Sequence, residues 1–396
     1  EMSEVAQVTH SSPDGHIPQL RFPQFSHDWA ISTIGNLAKI DTGNRDTQDR
    51  VNSGKYPFYV RSNTVERINE YAFDGEAILT SGDGVGVGKN FHYVVGKFNY
   101  HQRVYSIHNF TNSTNGKFIY YYFADKFYRR VSRLSAKNSV DSVRMSMISD
   151  MPISIPAKPE QQKIAAFLTA VDNKIEQLSK KQELLGEYKK GLMQKIFSQA
   201  IRFKADDGSD FPDWEDGLLN TLIDNSRKIR YGIVQPGKYD KNGKYLIRGK
   251  DYSNGWEIPS EFFKVSDAIE KKYSKTRVKK GDVIVCIVGS VGNVMVIPGW
   301  LDGANITQTT ARIAPDKNKL NNQYLYFYFQ SLVGRNMIHK HTRVGTRPGL
   351  NIEDVEKFSI LLPSLLEQAK IANFLSSIDN KIEQVGKQLD ESKQFK

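Results

Sequence analysis

At 396 residues the chain is long enough for two or three domains, and 39% hydrophobic with 25% charged residues is the make-up of a globular protein. No stretch approaches the roughly 18 consecutive apolar residues of a transmembrane helix, which excludes that class. The net charge of +11 favours an anionic partner, nucleic acid before a membrane surface.

Residues 1–19 read as a flexible lead-in, without the basic and apolar regions of a signal peptide. Residues 20–158 form a region rich in β-branched and aromatic residues, punctuated by turn signals such as Phe73-Asp74-Gly75. Ala77–Thr80 predicts a strand, Ser81–Lys89 a glycine-rich turn and Phe91–Val95 a second strand. Residues 117–130, KFIYYYFADKFYRR, predict an amphipathic helix packed on that sheet. Residues 159–200 then predict one long helix, with Pro159 in its first turn and Glu160 near its positive end. Ile164, Leu168, Val171, Ile175 and Leu178 alternate by four and three and continue at Leu185, Leu192 and Ile196. That spacing is the a/d seam of a coiled coil, interrupted at Gln182 and Lys189.

The plan then repeats. Residues 201–358 form a second β-rich region, in which Gln323–Val333 matches the earlier aromatic helix. Residues 359–396 carry a second seam at Ile371, Leu375, Ile378, Ile382 and Val385. EQQKIAAFLTAVDNKIEQ at 160–177 returns as EQAKIANFLSSIDNKIEQ at 367–384, identical at 13 of 18 positions and offset by 207 residues. The phrase LRFPQFSHDW at 20–29 is echoed by Phe211-Pro212-Asp213-Trp214. The second helix stops at Lys396, the counterpart of Lys189, so its far end is expected to be missing. The predicted fold is α+β: two β-rich domains separated by two long antiparallel helices that form a coiled coil about a pseudo-two-fold.

The sequence offers little catalytic chemistry. Gly82, Gly84, Gly86 and Gly88 before Lys89 lack the spacing and the hydroxyl of a phosphate-binding P-loop and also miss the dinucleotide pattern. The eight histidines show no ligand spacing, and no metal site is expected. The single cysteine, Cys286, sits in the apolar run VIVCIVG and reads as a small buried hydrophobe. One cysteine excludes a disulfide framework and fits a reducing, cytoplasmic compartment. Neither a nucleophile elbow nor an Asn-Pro-Pro-aromatic run for methyl transfer is present. A binding role therefore outranks an enzymatic one.

The arrangement resembles the DNA-specificity subunits of type I restriction–modification systems. Units of that family often open with a phrase like Pro18–Trp29 and close with one like Pro156–Ile175 and Pro363–Ile382. The resemblance implies that each β-rich region reads one half of a split, asymmetric DNA target. It implies helices that set the gap between half-sites and dock two modification subunits. Those subunits would hold S-adenosylmethionine and methylate adenine, and restriction subunits would join them for translocation and cleavage. This chain itself would carry no cofactor and meet no membrane. The rival reading is a non-catalytic scaffold whose two domains bind proteins.

Base readout needs hydrogen-bonding side chains on loops. Candidates in the first region are Arg61, Ser62, Asn63, Asp83 and Lys89, then Lys137, Asn138, Ser139 and Arg144. In the second they are Arg248, Lys250, Ser290, Asn293, Thr342, Arg343, Thr346 and Arg347.

Overall fold

The computed structural model of the protein describes residues 20–134, 142–253, 255–343, 345 and 348–396. Two compact units divide the chain: the residues up to Ile175 with Phe395 and Lys396, and Glu176–Gln394. No helix among the described residues is long and apolar enough to cross a membrane.

The first unit begins with β1 (Ala30–Thr33), a short helix α1 (Ile34–Leu37) and β2 (Lys39–Thr42). Then come β3 (Tyr56–Tyr59), β4 (Val65–Ile68), β5 (Phe73–Ser81), β6 (Phe91–Tyr100) and β7 (Val104–His108). Helices α2 (Gly116–Leu134) and α3 (Met145–Ser149) lead to β8 (Pro152–Ile155) and the 40-residue α4 (Lys158–Phe197). Six strands form one sheet in the order β2-β7-β5-β6-β3-β4. Alternate residues of a strand face opposite sides, and β5 at the centre buries both. Ile78 joins Phe118, Phe123 and Phe127 of α2 on one side, while Ala77 and Leu79 meet Phe98 and Val104 on the other. The predicted strands and helix are present and longer than the sequence signal, because pairing and packing extend them.

The second unit contains β9 (Glu215–Leu218), β10 (Arg230–Tyr231), β11 (Lys244–Ile247) and β12 (Phe263–Val265), followed by α5 (Asp267–Lys272). Next are β13 (Val283–Cys286), β14 (Val294–Val296), β15 (Asn305–Ile306) and β16 (Thr310–Ile313). Helices α6 (Asn322–Gln330), α7 (Leu332–His341) and α8 (Ile352–Glu356) precede β17 (Ser359–Leu362) and α9 (Leu365–Phe395). Its strands split into the orders β10-β16-β13-β14 and β12-β11-β15. The single helix predicted over Gln323–Val333 is broken at Ser331. That residue is extended, and its Oγ accepts the Gly334 N–H at 3.1 Å, so it caps a new helix. A Cβ on Gly334 would lie 2.0 Å from the Tyr328 carbonyl oxygen, so only glycine permits this close turn.

The repeated phrases mark one clasp, built once in each unit. In the first, the Arg21 guanidinium donates to Glu160 at 2.7 and 2.8 Å, and the Trp29 indole donates to the same carboxylate at 3.3 Å. In the second, Arg202 donates to Glu367 at 2.9 Å twice, and Trp214 donates at 3.0 Å. The next residue, Gln161 or Gln368, bonds the carbonyl of Pro156 or Pro363 and the backbone N–H of Asn115 or Asn321. Phe22 meets Phe167 edge-on, as Phe203 meets Phe374. The pairs β1–β8 and β9–β17 close each clasp in antiparallel register.

The seams are inward. Ile164, Leu168, Val171 and Ile175 are half-buried and Leu178 is buried; Ile371, Leu375, Ile378 and Val385 are buried and Ile382 is half-buried. Within the second unit the latter part of α4 runs antiparallel to α9. The Lys189 ammonium meets Asp379 at 2.6 Å, Gln182 lies against Gly386, and Met193, Ile196 and Phe197 share a core with Ile371, Ala372 and Leu375. The two interruptions in the seam thus meet an ion-pair partner and a residue without a side chain across it. Within the first unit Lys396 pairs with Asp172 and Phe395 packs on Phe167. Asp172 and Lys396 are the 207-residue counterparts of Asp379 and Lys189, so each unit makes the same ion pair.

Candidate nucleic-acid interface

In the first unit the β5–β6 hairpin ends in the predicted glycine-rich loop. Gly84 and Gly88 hold φ of 78° and 65°, values that favour glycine. The buried Asn90 amide donates to the Arg61 carbonyl at 3.2 Å and so ties the loop to the end of β3. The Val143 N–H donates to the Gly82 carbonyl at 2.7 Å, and Asp83 bridges to Ser142. Asp83 therefore sits on a fixed backbone. Its carboxylate takes Arg61 at 2.9 Å and Arg103 at 3.6 Å, both exposed side chains. Ser62 shapes the turn after Arg61, its Oγ accepting the Thr64 N–H, and its carbonyl contacts the His92 ring at 3.2 Å. Asn63 and Arg144 are exposed. The Lys89 ammonium lies 5.6 Å from the Tyr128 ring centroid, a cation–π distance. Arg61, Ser62, Asp83, Lys89 and the segment of Arg144 are thus gathered around one loop. Lys137, Asn138 and Ser139 lie outside the described residues.

The second unit repeats this junction with other side chains. The β13–β14 hairpin carries Gly289 and Gly292 at φ of 89° and 90°. The Leu350 N–H donates to the Ile287 carbonyl at 2.8 Å, and Val288 bridges to Gly349. Leu350 is the 207-residue counterpart of Val143, so this is the first unit's loop-to-loop bond made again. Beside it lies a cleft of about 600 Å³ that brings together Ser290, Asn293, Thr342 and Arg343 with Arg335 and His339. Arg343 leans toward Asp354 at 3.7 Å, and the Thr342 hydroxyl donates back to the Ile338 carbonyl at 2.7 Å. Thr346 and Arg347 lie outside the described residues.

Arg248 is held within its own turn. Its guanidinium donates to the buried carboxylate of Asp251 at 2.8–3.2 Å and to the Glu261 carbonyl at 2.9 Å. Those bonds make it a strut of its own turn. Lys250 beside it is exposed. At the root of the second hairpin Cys286 is buried, and its thiol donates to the Val288 carbonyl at 3.2 Å. Burial pushes that thiol up from its ordinary range, which suits the inert role read from the sequence.

Loop-centred reading missed three groups. Arg103 is brought to Asp83 by the β6–β7 turn, which no local pattern announces. Arg335 and His339 belong to α7, beyond the end of the helix predicted over Gln323–Val333. A polar stripe at helical spacing was the available signal. Among the described residues no group of three or more His, Cys, Asp or Glu is arranged to hold a metal ion.

The fold and its doubled loop junction define a two-unit protein built on one repeated framework. The profile of the type I restriction modification DNA specificity domain matches residues 26–185 and 223–391. The chain belongs to this family and carries its domain twice. It is similar to the EcoBI specificity subunit of Escherichia coli, with 24% identity over 306 residues that cover 73% of this chain and 64% of that protein. The chain thus spans slightly less than two thirds of that relative. It is 26% identical to the MjaVIII specificity subunit of Methanocaldococcus jannaschii over 398 aligned positions, which cover 92% of this chain and 88% of that one. The crystal structure of a type I restriction–modification S subunit from M. genitalium shares the fold, with a TM-score of 0.61 at 16% identity, covering 93% of this chain and 94% of that one.

Proposed function

We propose that this chain is the sequence-reading subunit of a type I restriction–modification complex. Each unit reads one half of a bipartite, asymmetric duplex target. The observation that carries this reading is a repeated scaffold with unrepeated chemistry. The same backbone bond joins hairpin to loop in both units, yet one junction presents Arg61, Asp83 and Arg103 and the other Ser290, Asn293 and Arg343. A shared scaffold with different hydrogen-bonding groups suits two different base sequences. The net charge of +11 supplies the attraction to phosphate that any duplex offers.

In this reading the paired helices fix the spacer and dock two modification subunits. Those subunits hold S-adenosylmethionine and methylate adenine, and restriction subunits complete a cleaving complex. This chain contributes recognition and no catalytic step. Co-expression with its modification subunits, followed by mapping of methylated adenines, tests the reading. One split motif with unlike halves is expected, and exchanging residues 20–158 for those of a relative should alter one half only. A folded complex that methylates no defined motif, or an exchange that alters both halves, would overturn it and leave the scaffold reading.

A further inference from the structure

The last turns of α2 and the separate helix α7 carry a second repeat, which the loops conceal. In the first unit α2 buries Phe127 and Val131, and Tyr128, Arg129, Ser132 and Arg133 are exposed. In the second unit α7 buries Gly334 and Ile338, and Arg335, Asn336, His339 and Lys340 are exposed. The two quartets coincide at the 207-residue offset that relates the long helices. Residues at i, i+1, i+4 and i+5 form one strip along a helix. Neither quartet contains a carboxylate, and both consist of hydrogen-bonding side chains, seven of the eight being Arg, Lys, Asn, His or Tyr.

Each strip borders its unit's glycine loop. In the first unit a Cβ on Gly88 would stand 2.9 Å from the Tyr128 ring, and Lys89 leans over the same ring. In the second, Arg335 and His339 share the cleft of about 600 Å³ with Ser290 and Asn293, and a Cβ on Gly292 would be 3.4 Å from Ile338. Helix strip and loop therefore make one continuous surface in each unit. Arg61 and Arg343, by contrast, already face a carboxylate on their own unit, at 2.9 and 3.7 Å.

We infer that these strips, rather than the loops alone, are the base-reading elements of the two units. The inference rests on the DNA-reading function proposed above. A helix with its side chains is about 10–12 Å across and fits the major groove, about 12 Å wide. Arginine addresses guanine with two parallel bonds, and asparagine addresses adenine in the same way. Lys89 and Lys250 are then left to phosphate. The difference between Tyr-Arg-Ser-Arg and Arg-Asn-His-Lys makes the two half-sites unlike.

The test uses the full chain co-expressed with its modification subunits and a pool of duplexes randomised over the target, sequenced after selection at fixed salt. Arg335→Lys keeps the charge but removes the planar fork. It is expected to lower preference for one base in one half-site by about 5–140-fold, with an unchanged salt slope. Asn336→Ala should alter a neighbouring position of that half, and Arg129→Lys a position of the other. A thermal melt confirms that each variant is folded. Unaltered base preference in folded Arg335→Lys, Asn336→Ala and Arg129→Lys, with affinity kept or lowered equally for all sequences, would overturn the inference. The same result would leave the DNA-reading function standing. A wild-type complex that selects no sequence would remove the function itself, and the inference with it.

Discussion

At the scale of single residues, the identities most faithfully repeated hold the frame rather than touch a target. Glu160 and Glu367 are buried, each bonded to an arginine and an indole. Removing one partner of a buried ion pair strands the other, at a cost of about 3–5 kcal/mol. Glu160→Ala is expected to lose that much in urea denaturation, and a loss below about 1 kcal/mol would show that the clasp is not structural. Histidines near the first loop set a pH dependence. Burial lowers the pKa of both His92 and His101, and His101 Nδ1 accepts the Arg103 N–H at 2.8 Å, a bond only an unprotonated nitrogen accepts. In the unfolded chain they titrate near pH 6.5. Just below that pH the unfolded state binds more protons than the folded one, so stability falls as the pH drops. A melting temperature that declines from pH 7 to pH 5, and declines less in a His101→Gln variant, is the expected outcome.

At the scale of elements, the long helices show where polar residues in an apolar seam belong. Lys189 and Gln182 interrupt the heptad and face Asp379 and Gly386 across it. The ion pair is partly exposed and is worth about 1 kcal/mol at most, so its main effect is to favour one alignment of the helices. Two glycines give opposite predictions. Gly186 sits within α4 with nothing near its would-be Cβ, and Gly186→Ala should stabilise the fold by about 0.5–1 kcal/mol. Gly334 has a carbonyl oxygen 2.0 Å from that position, and Gly334→Ala should destabilise the fold and the α6–α7 turn. Denaturant midpoints for the pair check both signs, and a gain from Gly334→Ala would contradict the packing described for Ser331.

At the scale of the whole molecule, charge and repetition act together. The excess of 55 Lys and Arg over 44 Asp and Glu gives an affinity for any duplex that salt should weaken. With six to ten phosphate contacts, binding is expected to fall about 10³–10⁵-fold between 50 and 200 mM salt. A flat salt titration of the complex would contradict a phosphate-dominated interface.

The sequence determined the architecture because a repeated core leaves a repeated trace. The seams at Ile164–Leu178 and Ile371–Val385, the EQ phrase and the aromatic helix are local patterns, and each marked its element. The clasp was half legible: Phe211–Trp214 was visible, but Ile201-Arg202-Phe203 as the match to Leu20-Arg21-Phe22 was obscured by a longer connection. Only the tertiary structure decided which polar residues meet. Arg103 reaches Asp83 across a turn, Arg248 is drawn to Asp251 and Glu261, and Arg335 and His339 join Ser290 and Asn293 from another element. Burial imposes periodicity on apolar residues, and periodicity is written along the chain. Encounters between distant surface loops impose none, so they exist only once the chain has folded.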